Sequence, residues 1–326
     1  MTPREIVRRT IAFESPSRLP RSFPQEFGND FAGVGMSPSP DARPSGKNGL
    51  ETDEWGAVWE NIGICNLGEV KEFPIKTWND FKTLKVPDIT SPARWTTLAG
   101  ARARAGDKYL MAGGISLYER AHFLRGLENL WMDIYDDREN LEKLLDILVD
   151  MNLYAIGRYK TENPDGYMFC DDWGLQNRFM ISPASWREIW KPRYAKVYQA
   201  AHEAGMQTLL HSCGHIVEVL DDLIEAGLDV IQMDQQENMG LDLLAQRFKG
   251  RIAFWCPVDI QSVMCHGTLD DVRRYCWALS DKLGTPRGGF MPKWYGDPKG
   301  AGHTMEAVNA MCAEFLKVSD AAFGKN

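Results

Sequence analysis

The sequence predicts an α/β fold: a single (β/α)8 TIM barrel spanning residues 1–326, with an N-terminal loop and hairpin extension at the barrel mouth. Three observations carry that expectation. From about residue 100 onward, short apolar runs that end in polar residues alternate with amphipathic helical stretches, which means a parallel sheet with crossover helices. Six such units follow residue 100 and there is room for two more before it, which suits eight-fold closure. No G-x-G-x-x-G follows a strand, which weakens the alternative of an open, doubly wound dinucleotide-binding sheet.

At the start, "MTPREIVRRTIAFESPSRLP" reads as an amphipathic helix closed by a Pro-bounded turn, without the apolar core of a signal peptide. "FPQEFG" reads as an early strand carrying Glu26. Residues 33–73 are first rich in Gly, Pro and Ser and then in Trp, so residues 1–100 are expected to form an N-terminal segment whose long loop and hairpin beside the mouth are either a lid or decoration. Residues 101–326 then supply the main repeats. Their strands are "KYLMAGGI" (108–115), "GYMFCDDWG" (166–174), "QTLLHSCG" (207–214), "LDVIQMDQQ" (228–236), "RIAFWCPVD" (251–259) and "GGFMPKWYG" (288–296). Helices such as "ENLEKLLDILVDMNLYAIGRYK" and "VEVLDDLIEAG" lie between them, and Gly205 and Gly227 stand where a left-handed helix cap is wanted.

Bulk properties narrow the function. The 326 residues are 44% hydrophobic and 25% charged, enough for a sizeable core. A net charge of −8 without any Lys/Arg run argues against nucleic acid or an anionic membrane as the main partner. No stretch approaches the roughly 20 apolar residues of a membrane span. Seven cysteines without a disulfide-like rhythm suit a reducing cytoplasm, where a special thiol would be metal-binding or reactive.

In a barrel the C-terminal strand ends surround the site, and here they carry Asp171 and Asp172, His211 and Cys213, Gln232 and Asp234, Cys256 and Asp259, and Lys293, Trp294 and Tyr295. His211 and Cys213 alternate, so on a strand both face one way, and imidazole and thiolate are both zinc ligands. The other reading is a buried cysteine acting as a small hydrophobe beside a histidine bonded to a carbonyl. Cys256, ending "AFWC", would add a third ligand, with Asp171, Asp172 or Glu26 as the acid. Cys170 is expected to face the helices. As neighbours, Asp171 and Asp172 point to opposite sides, so one of them reaches the pocket. Trp55, Trp59, Trp173, Trp255 and Trp294 gather near the expected mouth, where an aromatic lining suits an apolar or aromatic substrate. The working set is Asp171, Asp172, Lys293 and Tyr295, with Glu26, Trp55, Trp173, Gln232 and Trp294 on the substrate.

The pieces "DEWGAVWEN", "DDWGLQ", "ISPASWREIWKPRY", "HSCG", "EAGLDVIQ" and "FWCPVDIQSVMCHGTLDDV" resemble, in order and spacing, the uroporphyrinogen decarboxylase-like superfamily. Within it they are similar to the cobamide-dependent methyltransferases. The resemblance implies a barrel with a deep cleft and a zinc motif, H-x-C followed later by Cys. His211 and Cys213 match its first two positions, whereas Tyr295 stands where the third ligand would fall. The decarboxylases' arginine-rich N-terminal signature is missing, since "LPRSFPQEFGNDF" offers only Arg21, and no Gly-His-Gly follows the last strand. Methyl transfer from a small donor, such as an aromatic ether, to the Co(I) corrinoid of a separate carrier protein is the activity implied, with zinc as Lewis acid. A metal-free decarboxylase or lyase using Asp171, Asp172 and Lys293 is the alternative. A non-catalytic binding protein on a decayed barrel is the third.

Overall fold

A computed structural model describes residues 1–39, 49–61 and 68–324. Its strands are β1 (Phe31–Val34), β2 (Leu50–Thr52), β3 (Val58–Asn61), β4 (Gly68–Glu72), β5 (Tyr109–Gly113), β6 (Gly166–Cys170), β7 (Gln207–His211), β8 (Val230–Gln232), β9 (Ala253–Cys256) and β10 (Phe290–Pro292). β1 and β5–β10 form a seven-stranded parallel sheet in the order β1-β5-β6-β7-β8-β9-β10. β2–β4 make a small antiparallel sheet in the N-terminal segment. The long loop expected beside the mouth falls partly on residues 40–48 and 62–67, outside the described residues.

The expected closed (β/α)8 barrel is not formed. The sheet is open and curled, a half-barrel whose edges stand 11 Å apart, with twelve α-helices among the described residues. All six strands expected after residue 100 are present, but only β1 joins them from the first hundred residues. The chain between Leu19 and Asp30 explains why no eighth strand closes the gap. Pro20 and Pro24 lack the N–H a ladder needs. A turn follows, in which Phe27 and Gly28 both donate to the Pro24 carbonyl and Gly28 takes φ +98°. Ser22 alone reaches across, with single bridges to Asn29 and Lys293. Glu26, expected on an extended strand, therefore sits exposed in this turn.

Period-two alternation sorts the side chains into two layers. On the concave face Phe31, Tyr109, Leu209, Val230, Ala253, Trp255 and Met291 pack together with Val7 and Ile11 of the first helix, Pro3–Ile11. That helix starts with a capping box between Thr2 and Glu5 and has Pro at its first turn. It closes the N-terminal end of the sheet, where Arg4, Arg8 and Arg102 converge on the fully buried Asp165. The convex face carries the main core against the helices, including the 22-residue Arg138–Tyr159. Gly205 and Gly227 end their helices at φ +83° and +106°. No helix among the described residues is long and apolar enough to cross a membrane.

Candidate metal centre

Two strand-end loops meet through glycines. After β6 the chain reads Asp171-Asp172-Trp173-Gly174, and after β7 Ser212-Cys213-Gly214. Gly174 donates to the Cys213 carbonyl at 3.1 Å, and a Cβ on Gly214, whose φ is +75°, would lie 2.2 Å from the Gly174 oxygen. Backbone contact this close leaves room for no side chain on either residue. It brings Asp172 against Cys213, whose N–H donates to Asp172 Oδ1 at 2.7 Å.

Asp172, His211 and Cys213 converge, with one ligand atom from each lying within 4.8 Å of the others. Cys213 Sγ is 3.3 Å from His211 Nε2, and Asp172 Oδ1 is 3.4 Å from the same nitrogen. Zinc–ligand bonds of 2.0–2.3 Å arranged tetrahedrally put neighbouring ligand atoms about 3.3–3.8 Å apart, so both spacings to Nε2 fit a shared ion, and three ligands leave a fourth position open. The side chain of Asp172 is 37% exposed and that of His211 16%, so the position faces outward.

A chain of donors and acceptors fixes which histidine nitrogen is free. Lys293 Nζ can only donate, and does so to Asp234 Oδ1 at 2.9 Å. Asp234 Oδ1 therefore accepts again from Gln232 Nε2 at 2.7 Å. The Gln232 amide is thereby oriented, and its Oε1 accepts from His211 Nδ1 at 2.5 Å. Nδ1 is thus the donor to Gln232, and in the neutral imidazole it is Nε2 that turns its lone pair toward Cys213 and Asp172. This is the tautomer a metal ligand needs, held by a partner outside the ligand set. Gln232→Leu should lower zinc affinity about 10–100-fold in a chelator competition, and Asp234→Asn should do so less, because it only unlocks the amide. Equal affinities in all three proteins would refute the arrangement.

The local field favours a cation. Burial pushes the Cys213 thiol up, and Asp172, Asp234 and Glu119 add to the rise while Lys293 opposes it. Burial, Asp172 and Asp171 hold Glu119 up to about 8, with Arg120 pulling it down. Cys170 is pushed up to about 12 by burial and the same carboxylates. A divalent ion at the triad would reverse these trends.

The other expected site residues fall in several places. Asp171 points away from the triad into the helices, fully buried. Its carboxylate accepts from Leu117 N at 3.1 Å, from Tyr118 N and Glu119 N at 2.8 Å each, and from Tyr194 Oη at 2.6 Å. Burial pushes it up to about 7 against those donors, and no face is left for a substrate. Cys256, expected as a ligand, lies outside the cluster and packs in the convex core. Alternation puts its neighbour Trp255 on the concave face instead. Cys170, expected to face the helices, follows Met168 by two and shares its concave face. Trp173 is fully buried, stacked on Tyr118 at 3.8 Å and bonded to Tyr194 Oη, so it packs rather than binds. Trp55 is buried at a cleft with Arg120 over its ring, and Trp294 packs against the core. Tyr295 is at the triad's end of the sheet, where burial, Asp234 and Cys213 raise its phenol. Glu119 escaped the sequence reading, having no motif around it. Its one signal is its place in the first helical turn after β5.

Comparison with known proteins agrees with this architecture. Residues 68–288 match the family described as uroporphyrinogen decarboxylase (URO-D). No curated protein matches the chain. Among solved structures, a methyltransferase from Methanosarcina mazei superposes with a TM-score of 0.66 at 16% identity, covering 97% of this chain and 99% of that one. A D-psicose 3-epimerase is more distant, at TM-score 0.43 and 13% identity over 70% of this chain and 84% of its own. So is a chitinase from Chromobacterium violaceum, at 0.41 and 10% over 89% and 91%.

Proposed function

Because the chain belongs to the uroporphyrinogen decarboxylase (URO-D) family, we propose that it uses that family's cleft for zinc-dependent transfer of a methyl group from a small methyl ether to the Co(I) corrinoid of a separate carrier protein. The observation that carries this reading is the triad Asp172, His211 and Cys213, with His211 Nε2 kept free by Gln232. A nitrogen, a sulfur and an oxygen donor suit zinc better than the oxygen-seeking Mg²⁺ or Ca²⁺. Bound zinc supplies a Lewis acid for charge building on the ether oxygen.

The chain's residues do the rest. The methyl–oxygen bond breaks as the acceptor's electron pair takes the methyl, both bonding electrons stay on oxygen, and that oxygen then gains a proton. We assign Tyr295 Oη the hydrogen bond to that oxygen, since its ring lies 5.9 Å from Lys293 Nζ, at the triad's end of the sheet. Lys293 holds Asp234, and through it Gln232, so that His211 does not rotate. The outward-facing triad leaves room for a second protein to bring its corrinoid to the open end of the sheet. The metal-free alternative is the weaker one, because Asp171 has every lone pair occupied by the fold.

The test is zinc content followed by turnover. Purified protein should hold about one zinc per chain. With cob(I)alamin as acceptor and a panel of methyl ethers it should form methylcobalamin, and dialysis against a strong chelator should abolish that. Undiminished activity in metal-free protein would sink the reading.

A further inference from the structure

The end of the sheet away from the metal centre holds a cavity of about 390 Å³. The helices Leu269–Leu283 and Met305–Phe323 follow β9 and β10, so each runs back toward the strand starts. Their last turns flank the cavity there, and the chain between Thr10 and Leu19 lines a further side. Phe290, the first residue of β10, is in its wall, whereas Lys293, just past the other end of that strand, holds Asp234. Ser280 and Gly284, one turn apart, line the cavity from one helix, and Ala321 and Ala322 from the other. Both alanines are exposed, so larger side chains would fit at these positions without entering the core. Alanine there leaves the entrance open.

The remaining wall is pinned. Ser15 N–H donates to the Arg287 carbonyl at 2.9 Å, and Gly289 N–H to the Thr10 carbonyl at 2.8 Å. A Cβ on Gly288 would lie 2.6 Å from the Thr10 oxygen, so the two segments pack backbone against backbone. Phe13 and Ser15 both take a left-handed φ, +57° and +54°, which residues other than glycine keep only where their surroundings enforce it. Held at this many points, the wall keeps its distance from the helices, and the cavity is preformed.

The lining specifies the ligand. Its floor is the buried Leu19, Phe290 and Val318. At the rim Trp277 is held by its N–H to Glu314 Oε1 at 2.9 Å and stays 43% exposed, an aromatic surface without a cover. One cation and one anion stand together beside it. Lys249 Nζ donates to the Asp281 carbonyl at 2.6 Å, and the Asp281 side chain is exposed, so the rim favours neither sign. The Ser280 hydroxyl has no hydrogen-bond partner among the described residues and can both donate and accept. We propose that this cavity is a second binding site, for an uncharged, largely apolar small molecule with one hydrogen-bonding group opposite Ser280. Its volume lies within the range of small-molecule sites, and it depends on neither the metal nor the methyl-transfer reading.

Fluorescence titration of the full-length protein with N-phenyl-1-naphthylamine, a neutral aromatic probe with a single N–H, tests it. Emission should rise, shift to the blue and saturate at about one probe per chain. Ala321→Trp and Ala322→Trp should each weaken binding at least ~10-fold, and Ser280→Ala about 2–10-fold, with the thermal midpoint unchanged in all three. Two tryptophan variants are used so that one misfolding leaves the other readable. Zinc-loaded and zinc-stripped protein should bind alike, and a difference between them would move the probe to the metal centre and overturn the proposal. Absence of saturable binding, or wild-type affinity in a folded tryptophan variant, would do the same. So would tighter binding of 8-anilinonaphthalene-1-sulfonate, the same skeleton with a negative charge. An affinity that falls as protein concentration rises would mean that a second copy covers the entrance, and would also overturn it.

Discussion

Alanine at His211 or Cys213 is expected to empty the metal centre. Complete zinc sites are worth about 10–16 kcal/mol at neutral pH, or about 3 kcal/mol per ligand, so either change should weaken zinc at least ~100-fold. The effect should exceed that of Gln232→Leu, which leaves all three ligands in place. The thiol gives the measurement a second handle. Cys213 is held protonated by burial and its acidic neighbours, so zinc must displace a proton to bind it. Affinity should therefore rise about tenfold per pH unit while that thiol stays protonated, and Cys213→Ala should flatten the slope. Competition with a chromogenic chelator at three pH values reads both quantities. A Cys213→Ala protein that holds zinc as tightly as wild type, with the same slope, would remove the triad from consideration.

Asp171→Ala is expected to be the most damaging change to the fold. The helix Tyr118–Arg125 begins at Leu117, whose side chain cannot cap it. Asp171 caps it from another strand, taking three successive N–H groups and the Tyr194 hydroxyl. Alanine would leave three buried donors, Leu117 N, Tyr118 N and Tyr194 Oη, without partners, each costing about 1–3 kcal/mol, so a loss of at least ~3 kcal/mol is expected in urea unfolding. Asp171→Asn keeps acceptor oxygen but turns an amide toward donors, and should fall between. If the alanine protein unfolds at the wild-type midpoint, the cap is not what holds this helix.

The contrast between the adjacent aspartates shows what could be read from the chain and what could not. Alternation correctly separates them onto opposite faces, and one of them meets His211 and Cys213. Which face is which depends on a helix start more than fifty residues earlier, with no local trace at "DDWG". The strands β5–β10 were legible because each apolar run is punctuated by Gly or polar residues. β9 shows the limit: all four residues of "AFWC" are buried, so no polar alternation says that Trp255 and not Cys256 faces inward. The same ambiguity misplaced Cys170. Closure failed as an expectation because strand counting ignored Pro20 and Pro24, which deny the eighth position its ladder.

The contact between Gly174 and Gly214 has a consequence for inheritance. Three ligands and their supporting chain are spread over β6, β7, β8 and β10, yet the approach of Asp172 to Cys213 depends on two residues that coordinate nothing. Any side chain at either position must separate the two loops, so a lineage can lose the triad's geometry by one neutral-looking substitution while all three of its residues persist in the sequence. Descendants of this chain that keep His211 and Cys213 but not both glycines would carry the letters of the motif without its geometry.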